Sequence, residues 1–282
     1  MNSLGTVVTE HFGGIPVRHR NCPLCRRNND RAASSSYSHG PWTIKECVGC
    51  GFVYIDNAPR YEVQFETMAW ERTTKVEEQR RAKLRPISYK VSKRTRFRLH
   101  LLPKRTMVGY VASRIDGGNV LDLGCGGGHT MESFPPSFLP FGVEISSEAA
   151  VIADHAFRAR GGYAINAPCV DGLRRFPEGF FAAASLRSYL EHEAEPLRVL
   201  ENLQRVLAPC GFAVVKVPNY GSLNRRVMGR RWCGFRYPDH LNYFTPETLE
   251  TMAAKAGFET DFELTGRLPT SDNMWAVLTK PQ

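Results

Sequence analysis

Four cysteines near the start of the sequence have the spacing of a metal site. Cys22 and Cys25 form one C-x2-C pair, and Cys47 and Cys50 form a second pair after twenty-one intervening residues. Two such pairs can surround one point with four thiolates, which is the ligand set of a structural zinc ion. Two disulfides are the alternative, but they require an oxidising compartment, which nothing else in the sequence indicates. We therefore predict one structural Zn²⁺ ion on these four cysteines.

A glycine-rich turn after a predicted strand carries the second chemical signature. The run from Asp122 to Gly128 reads D-x-G-x-G-x-G. Glycines at such a turn let backbone amides approach a ligand closely, in front of the helix that follows. The dinucleotide fingerprint G-x-G-x-x-G requires a glycine where this chain has His129, so NAD is not favoured. The next predicted strand ends at Glu144, twenty residues after Gly124, where an acid can accept hydrogen bonds from both hydroxyls of a ribose.

Together these residues resemble the first two motifs of class I S-adenosylmethionine (SAM)-dependent methyltransferases. The resemblance spans roughly residues 117–282 and includes a Leu-Glu-His segment, Leu190–His192, after the fourth predicted strand. It implies an α/β fold, with a Rossmann-like seven-stranded methyltransferase sheet, and SAM as the cofactor. The cofactor-binding residues that it implies are Asp122, Gly124, Cys125, Gly126, Gly128 and Glu144.

The Leu-Glu-His segment carries candidate residues of its own. Similar methyltransferases of the ubiquinone pathway hold a divalent ion with a Glu-x-x-Glu-His set, whose first acid falls at Ser188 here. That ion site is therefore expected to be incomplete. Glu191 and His192 are expected to brace the loop on the cofactor side, with contact to the acceptor as the alternative, which makes His192 a candidate catalytic residue.

The segment 218–244 follows the fifth predicted strand and is rich in arginine and aromatic residues. This composition suits a lid that grips an anionic or ring-bearing acceptor, and its glycines predict a lid that is mobile until the acceptor binds. Its closing run, Tyr237–Phe244, resembles the Tyr-x-x-His-x-x-Tyr-Phe segment of zinc-containing sugar C-methyltransferases, which also carry an N-terminal four-cysteine module. The resemblance implies catalytic roles for His240 and Tyr237. A lid histidine bonded to the backbone is the alternative for His240.

Three regions must position these residues. Residues 1–57 are predicted to form a zinc ribbon, and residues 58–116 a basic helical connector or lid. Residues 117–282 are predicted to form the SAM-dependent methyltransferase domain, into which the acceptor lid, 218–244, is inserted. Strand and helix signals alternate beyond residue 117, and such alternation is typical of a parallel sheet with helices on both faces.

Charge and hydropathy limit the partners and the location. The chain of 282 residues has 37 Lys and Arg against 28 Asp and Glu, and residues 72–105 alone contain thirteen basic and two acidic residues. This segment can meet nucleic acid, a phosphorylated substrate or an acidic membrane face, with a solvated helix face as the alternative. No run of about 18 apolar residues and no signal-peptide pattern occurs, so we expect no transmembrane segment and a cytoplasmic location.

The predicted function is SAM-dependent methyl transfer to a hydroxyl or carbon of a small biosynthetic intermediate. A sugar, a polyketide or a similar secondary-metabolite or glycan precursor would qualify, including anionic ones, with His240 as the candidate base. The alternative is an RNA methyltransferase that binds RNA through the ribbon and the basic helices. A third class is an interaction protein with a degenerate methyltransferase fold.

Overall fold

The structure is a computed structural model that describes residues 10–12, 15–59, 106–262 and 269–282. The strands are β1 (Glu10–Phe12), β2 (Ile15–His19), β3 (Ile44–Glu46), β4 (Val53–Ile55), β5 (Asn57–Pro59), β6 (Gly118–Leu123), β7 (Phe138–Glu144), β8 (Tyr163–Asn166), β9 (Phe181–Arg187), β10 (Leu207–Pro218), β11 (Asn242–Tyr243), β12 (Glu259–Phe262) and β13 (Asn273–Thr279). The helices are α1 (Met107–Ala112), α2 (His129–Glu132), α3 (Ser147–Arg158), α4 (Cys169–Leu173), α5 (Pro196–Val206), α6 (Leu223–Met228) and α7 (Pro246–Lys255), with a 3₁₀ turn at Gly229–Arg231.

Seven strands form the central sheet in the order β12-β13-β10-β9-β6-β7-β8. The pairs from β10 through β9, β6 and β7 to β8 are parallel, whereas β13 runs antiparallel to both β10 and β12. The strand order reverses at β6, which lies between β7 and β9. In open α/β sheets, ligands bind beyond the carboxyl ends of the strands at such a reversal. The predicted Rossmann-like seven-stranded sheet is therefore confirmed.

Alternating side chains of the sheet enter two separate cores. Leu121 and Leu123 of β6 pack in a cluster with the leucines of α5 and with α7, while Val120 packs on the other face with α1 and α3. The leucines of α5 lie on one buried face, as expected for an amphipathic helix against a sheet. Proline at the first position of α5 and a Thr245 capping box on α7 fix where these helices begin.

The cysteine-containing region builds two small sheets. One contains β1, β2 and β5, and the other has the order β11-β4-β3. Strand β11 belongs to the segment that we predicted to be a lid, and it pairs antiparallel with β4, placing Asn242 opposite Tyr54 and Tyr243 opposite Val53. The segment 218–244 therefore supplies the third strand of the ribbon sheet.

The same segment is packed rather than projecting. Trp232, Phe235 and Leu241 are buried in one cluster with Trp42 and Ile44 of the ribbon. Gly234 lies against the ring of Trp232, since a Cβ there would approach a ring atom to 2.1 Å. The glycine thus accommodates a close contact, which differs from the expectation of a lid that is mobile before the acceptor binds. The basic segment 72–105 and most of the predicted connector lie outside the described residues.

Candidate functional site

The four cysteines of the ribbon converge on one point. The Sγ atoms of Cys22 and Cys50 are 3.6 Å apart, those of Cys25 and Cys47 are 3.4 Å apart, and all four lie within 4.8 Å of one another. A tetrahedral zinc ion with Zn–S bonds of about 2.3 Å requires S···S separations of about 3.8 Å. The observed cluster therefore has the size of a four-thiolate zinc site, and its sulfurs are too far apart for disulfides.

The two cysteine pairs share one turn geometry. In each turn an amide donates back to the carbonyl of the first cysteine over 2.8 Å, from Arg26 to Cys22 and from Gly51 to Cys47. Arg26 and Gly51 both adopt positive φ, at 62° and 69°. The amide of Gly49 also donates to Sγ of Cys47 over 3.4 Å. Although burial opposes it, hydrogen bonding from the Gly49 amide and neighbouring groups lowers the pKa of the Cys47 thiol to about 6, which favours a thiolate ligand.

The glycine turn lies at the carboxyl end of β6. Gly124, Gly126 and Gly128 all have positive φ, between 53° and 87°, which favours glycine and explains the spacing of the motif. A Cβ on Gly126 would meet no atom of the described part of the chain within 4 Å, so those residues leave open space at the turn. Asp122, two residues before the turn, is buried, and burial raises the pKa of its carboxyl group to about 7.

Glu144 holds the glycine turn. Its Oε2 accepts a hydrogen bond from the amide of Gly126, and its Oε1 accepts from the amides of Ile145 and Ser146, all at 2.8 Å. A carboxylate offers about four acceptor positions, so one remains on Oε2. The acid therefore lies where the sequence predicted, but most of its hydrogen-bonding capacity serves the backbone rather than two ribose hydroxyls.

Cys125 is a predicted cofactor-binding residue, but its side chain points into the core and away from the open side of the glycine turn. Its Sγ lies beneath the turn, where a Cβ on Gly142 would approach it to 2.6 Å, and the residue is 6% exposed within the core on one face of the sheet. Burial raises the pKa of this thiol well above its usual range. Only the backbone of Cys125 can thus face a bound cofactor.

The loop after β9 lies against the turn. The ring of Tyr189 covers Gly124, where an added Cβ would be 2.8 Å from Cδ2, and the Tyr189 hydroxyl donates to the buried carboxylate of Glu193. Burial raises the pKa of Glu193. Neither residue was predicted from the sequence, because a Tyr and a Glu four positions apart give no signal until the loop is seen beside the glycine turn.

Two histidines meet next to this loop. The rings of His192 and His240 pack edge to face, with centroids 4.7 Å apart. Nδ1 of His192 is 2.8 Å from the carbonyl of Asp239, and Nδ1 of His240 is 2.8 Å from the carbonyl of Gly234. A carbonyl only accepts, so Nδ1 carries the proton in each neutral ring and Nε2 is the basic nitrogen.

Glu191 completes this group as a buried acid. It is 1% exposed, and its Oε2 has no hydrogen-bond partner among the residues that the structure describes. Burial raises its pKa, and the nearby His192 opposes that rise. Glu191, His192 and His240 offer ligand atoms within 4.8 Å of one another, so a divalent ion is chemically compatible with them. The ion site of this segment was expected to be incomplete because Ser188 replaces its first acid. His240 offers a potential third ligand beside Glu191 and His192.

Tyr237 is directed toward the ribbon. Its hydroxyl donates to the carbonyl of Tyr37 over 2.6 Å, and its ring stacks on Phe235. Burial raises the pKa of this phenol, so it stays protonated and little phenolate is present to act as a base. The predicted catalytic role of Tyr237 therefore finds no support in the observed contacts, which make it part of the contact between the ribbon and the segment 218–244.

Comparison with known proteins adds the following relationships. A family model described as a methyltransferase domain matches residues 92–261, more than half of the chain. Ubiquinone biosynthesis O-methyltransferases of Paraburkholderia phymatum and Thiobacillus denitrificans are each 27% identical over 163 residues, covering 52% and 53% of this chain and 67% and 68% of theirs. A SAM-dependent methyltransferase from Archaeoglobus fulgidus aligns with a TM-score of 0.48 at 17% identity, over 72% of this chain and 99% of that one. Among the described residues, no helix is both long and apolar enough to cross a bilayer.

Proposed function

Because the chain belongs to the family of methyltransferase domains, we propose that it transfers a methyl group from SAM to a hydroxyl or carbon of a small biosynthetic intermediate, with His240 as the base. When bound, SAM supplies an electrophilic methyl group on a sulfonium. The observation that carries the proposal is the pair His192 and His240, joined to the loop whose Tyr189 covers the glycine turn. This contact supports the proposal because it joins the segment of the candidate base to the loop beside the glycine turn.

The proposed cofactor residues fit a nucleoside. Asp122 and the three glycines of the turn would line the cofactor site by close approach of the backbone, because the amides of Gly124, Gly126 and Gly128 already donate to Val143, Glu144 and Cys125. Cys125 would contribute only its backbone, and Glu144 would accept one ribose hydroxyl at its remaining position. The open space at Gly126 supports this role, since any side chain there would occupy it.

His240 has the features of a base. Its Nδ1 is engaged with the carbonyl of Gly234, which fixes the ring and makes Nε2 the nitrogen that would take a proton from an acceptor. After that transfer the ring is positive, and the buried carboxylate of Glu191 beside His192 would stabilise the charge. His192 would orient the ring of His240.

The acceptor class is proposed from chemistry and from similarity. A sugar, a polyketide or a comparable precursor fits a base that faces a methyl donor, and anionic compounds fit the arginines of the segment 218–244. The similar proteins from P. phymatum and T. denitrificans are named for O-methylation, which favours a hydroxyl acceptor. For the four cysteines we propose a structural Zn²⁺, which would replace the core that so small a module lacks.

The test begins with SAM binding by calorimetry and a panel of small hydroxylated and anionic compounds, with methylated product detected by mass spectrometry. His240→Asn should abolish methylation and leave SAM affinity within about twofold, because a base acts on the acceptor rather than on the donor. His155→Asn, at an exposed position of α3, is the matched control and should behave as the wild type. Full turnover in the His240 variant would refute its role.

Two further measurements separate the alternatives. If His240 is the base, turnover should persist after a mild chelator removes weakly held divalent ions and leaves the ribbon zinc in place. Loss of turnover that added ions restore would instead assign His240 to a metal.

Binding to RNA should be weak and collapse between about 50 and 200 mM salt. Tight binding to a structured RNA at high salt would move the function to RNA modification.

A further inference from the structure

One arginine joins the ribbon to both histidine-bearing segments. Arg20 lies two residues before the first cysteine, and its side chain reaches three separate stretches of chain. Nε donates to the carbonyl of Ile55 in β4 over 2.7 Å, and Nη1 donates to the carbonyl of Ala194 over 3.0 Å. Nη2 donates to the carbonyl of Leu241 over 2.6 Å and to Oδ1 of Asn242 over 3.1 Å.

The two segments that Arg20 contacts are also tied to each other. Asn242 donates through Nδ2 to the carbonyls of Leu190 and Glu193, at 2.8 and 2.7 Å. The amide of Leu241 donates to the carbonyl of Glu191 over 2.7 Å. These bonds join the segment 190–194 to the segment 241–242, and Arg20 of the ribbon binds to both segments. Ala194 is two residues after His192, and Leu241 directly follows His240.

The four acceptors around residue 20 suit an arginine better than a lysine. Its acceptors are three carbonyls and one amide oxygen in different directions, which the planar fork of a guanidinium can reach and a single ammonium cannot. All four acceptors are neutral, and burial lowers the pKa of Arg20 to about 10, although the nearby Asp56 and Glu193 oppose that change. The group stays protonated at neutral pH. Its carbon Cζ lies 5.5 Å from the ring centre of Tyr54, which covers it.

We infer that Arg20 is a positioning residue that holds His192 and His240 in their edge-to-face arrangement, through Ala194 and Leu241. The ribbon thereby becomes part of the acceptor site through Arg20. This inference rests on the proposed function for its importance to catalysis. The arrangement of the two rings can be measured without any acceptor.

Histidine NMR tests the inference directly. With ¹⁵N-labelled histidine, the ring nitrogens of His192 and His240 should each report a single Nδ1–H tautomer in the wild type, because each Nδ1 donates to a carbonyl. Arg20→Lys keeps the charge but not the fork, so both rings should lose that single-tautomer signature. His192→Gln and His240→Asn spectra assign the two signals among the eight histidines. Arg18→Lys, at an exposed position of β2, is the control and should leave all signals unchanged.

Zinc content and SAM binding by Arg20→Lys distinguish positioning from general damage. We expect one zinc per chain and a SAM affinity within about twofold of the wild type, while the two histidine signals shift. Added guanidinium should restore the signals in Arg20→Ala, because it can occupy the vacated site. Unchanged histidine signals in Arg20→Lys, or loss of zinc together with the shift, would overturn the inference.

Turnover separates this inference from the proposed function. If His240 is the base, Arg20→Lys should lower kcat by roughly 10- to 100-fold, as expected for slight misplacement of a reacting group. If the rings move and turnover does not change, Arg20 still positions them, and it is the role of His240 as the base that fails.

Discussion

Replacing Glu144 by glutamine tests how the acid at the end of β7 serves the cofactor turn. The wild-type carboxylate accepts three backbone hydrogen bonds, each 2.8 Å long, and is 8% exposed. Glutamine has the same shape but only one acceptor oxygen. If that oxygen keeps the amides of Ile145 and Ser146, its NH₂ group faces the amide of Gly126, and two donors meet. The bond that holds the glycine turn is then lost.

The magnitude follows from those three bonds. A hydrogen bond to a charged group contributes about 1.5–3 kcal/mol, and a neutral one about half of that. Glu144→Gln removes one charged bond and weakens two, so the free energy of unfolding should fall by about 3–6 kcal/mol. SAM affinity should fall by about 10- to 100-fold, since the released turn and the lost ribose acceptor each oppose binding.

Calorimetry with SAM and denaturant unfolding measure the two effects on the same protein. Glu148→Gln removes the same charge from an exposed position four residues later and is the matched control. The control should change neither quantity by more than about 0.5 kcal/mol. A Glu144 variant that binds SAM like the wild type would refute the role assigned to the acid. Normal stability with weak binding would show that Glu144 serves the ribose and not the turn.

Two other perturbations have definite expected results. Cys47→Ser should lower zinc content below one ion per chain and make the ribbon sensitive to protease, whereas Cys210→Ser, at an exposed position, should change neither, as elemental analysis and limited proteolysis would report. Burial raises the pKa of Asp122 to about 7, above about 3.9 for an unfolded chain, so its contribution to stability is complete below pH 4 and is lost as pH rises to about 7. Denaturant unfolding of Asp122→Asn should lack this loss, and parallel pH profiles of the two proteins would contradict it.

The sequence predicted those parts of the fold that have local signals. Alternating strands and helices, the cysteine spacing and the positive-φ glycines at 124, 126 and 128 depend on neighbours in the chain, and the structure has all of them. The pairing of β11 with β4 joins residues almost 190 positions apart over only two residues, and such a contact has no periodicity to detect. The contacts of Arg20 were missed for the same reason, since three of its acceptors are backbone carbonyls, which every residue carries.

The segment 218–244 shows why composition alone misled. Glycine and arginine are compatible with a mobile lid, but they also suit close packing. Gly234 is needed because the ring of Trp232 lies against it, and the guanidinium of Arg225 stacks 4.1 Å from the ring centre of Tyr220. Aromatic residues in a loop favour burial whenever a second apolar surface is available, and the ribbon supplies that surface through Trp42 and Ile44.

The attachment of the ribbon also gives the four cysteines a consequence beyond their own module. Strand β4 pairs with β11, and Arg20 beside the first cysteine holds the segments that carry His192 and His240. A module of this size has too little apolar core to fold firmly without a metal or a partner surface. Zinc would order β4 and Arg20, and the buried rings of the segment 218–244 would cover the other face. The folding of the ribbon and the order of the candidate acceptor site are therefore coupled, so zinc removal should disturb the two histidines before the central sheet loses its structure.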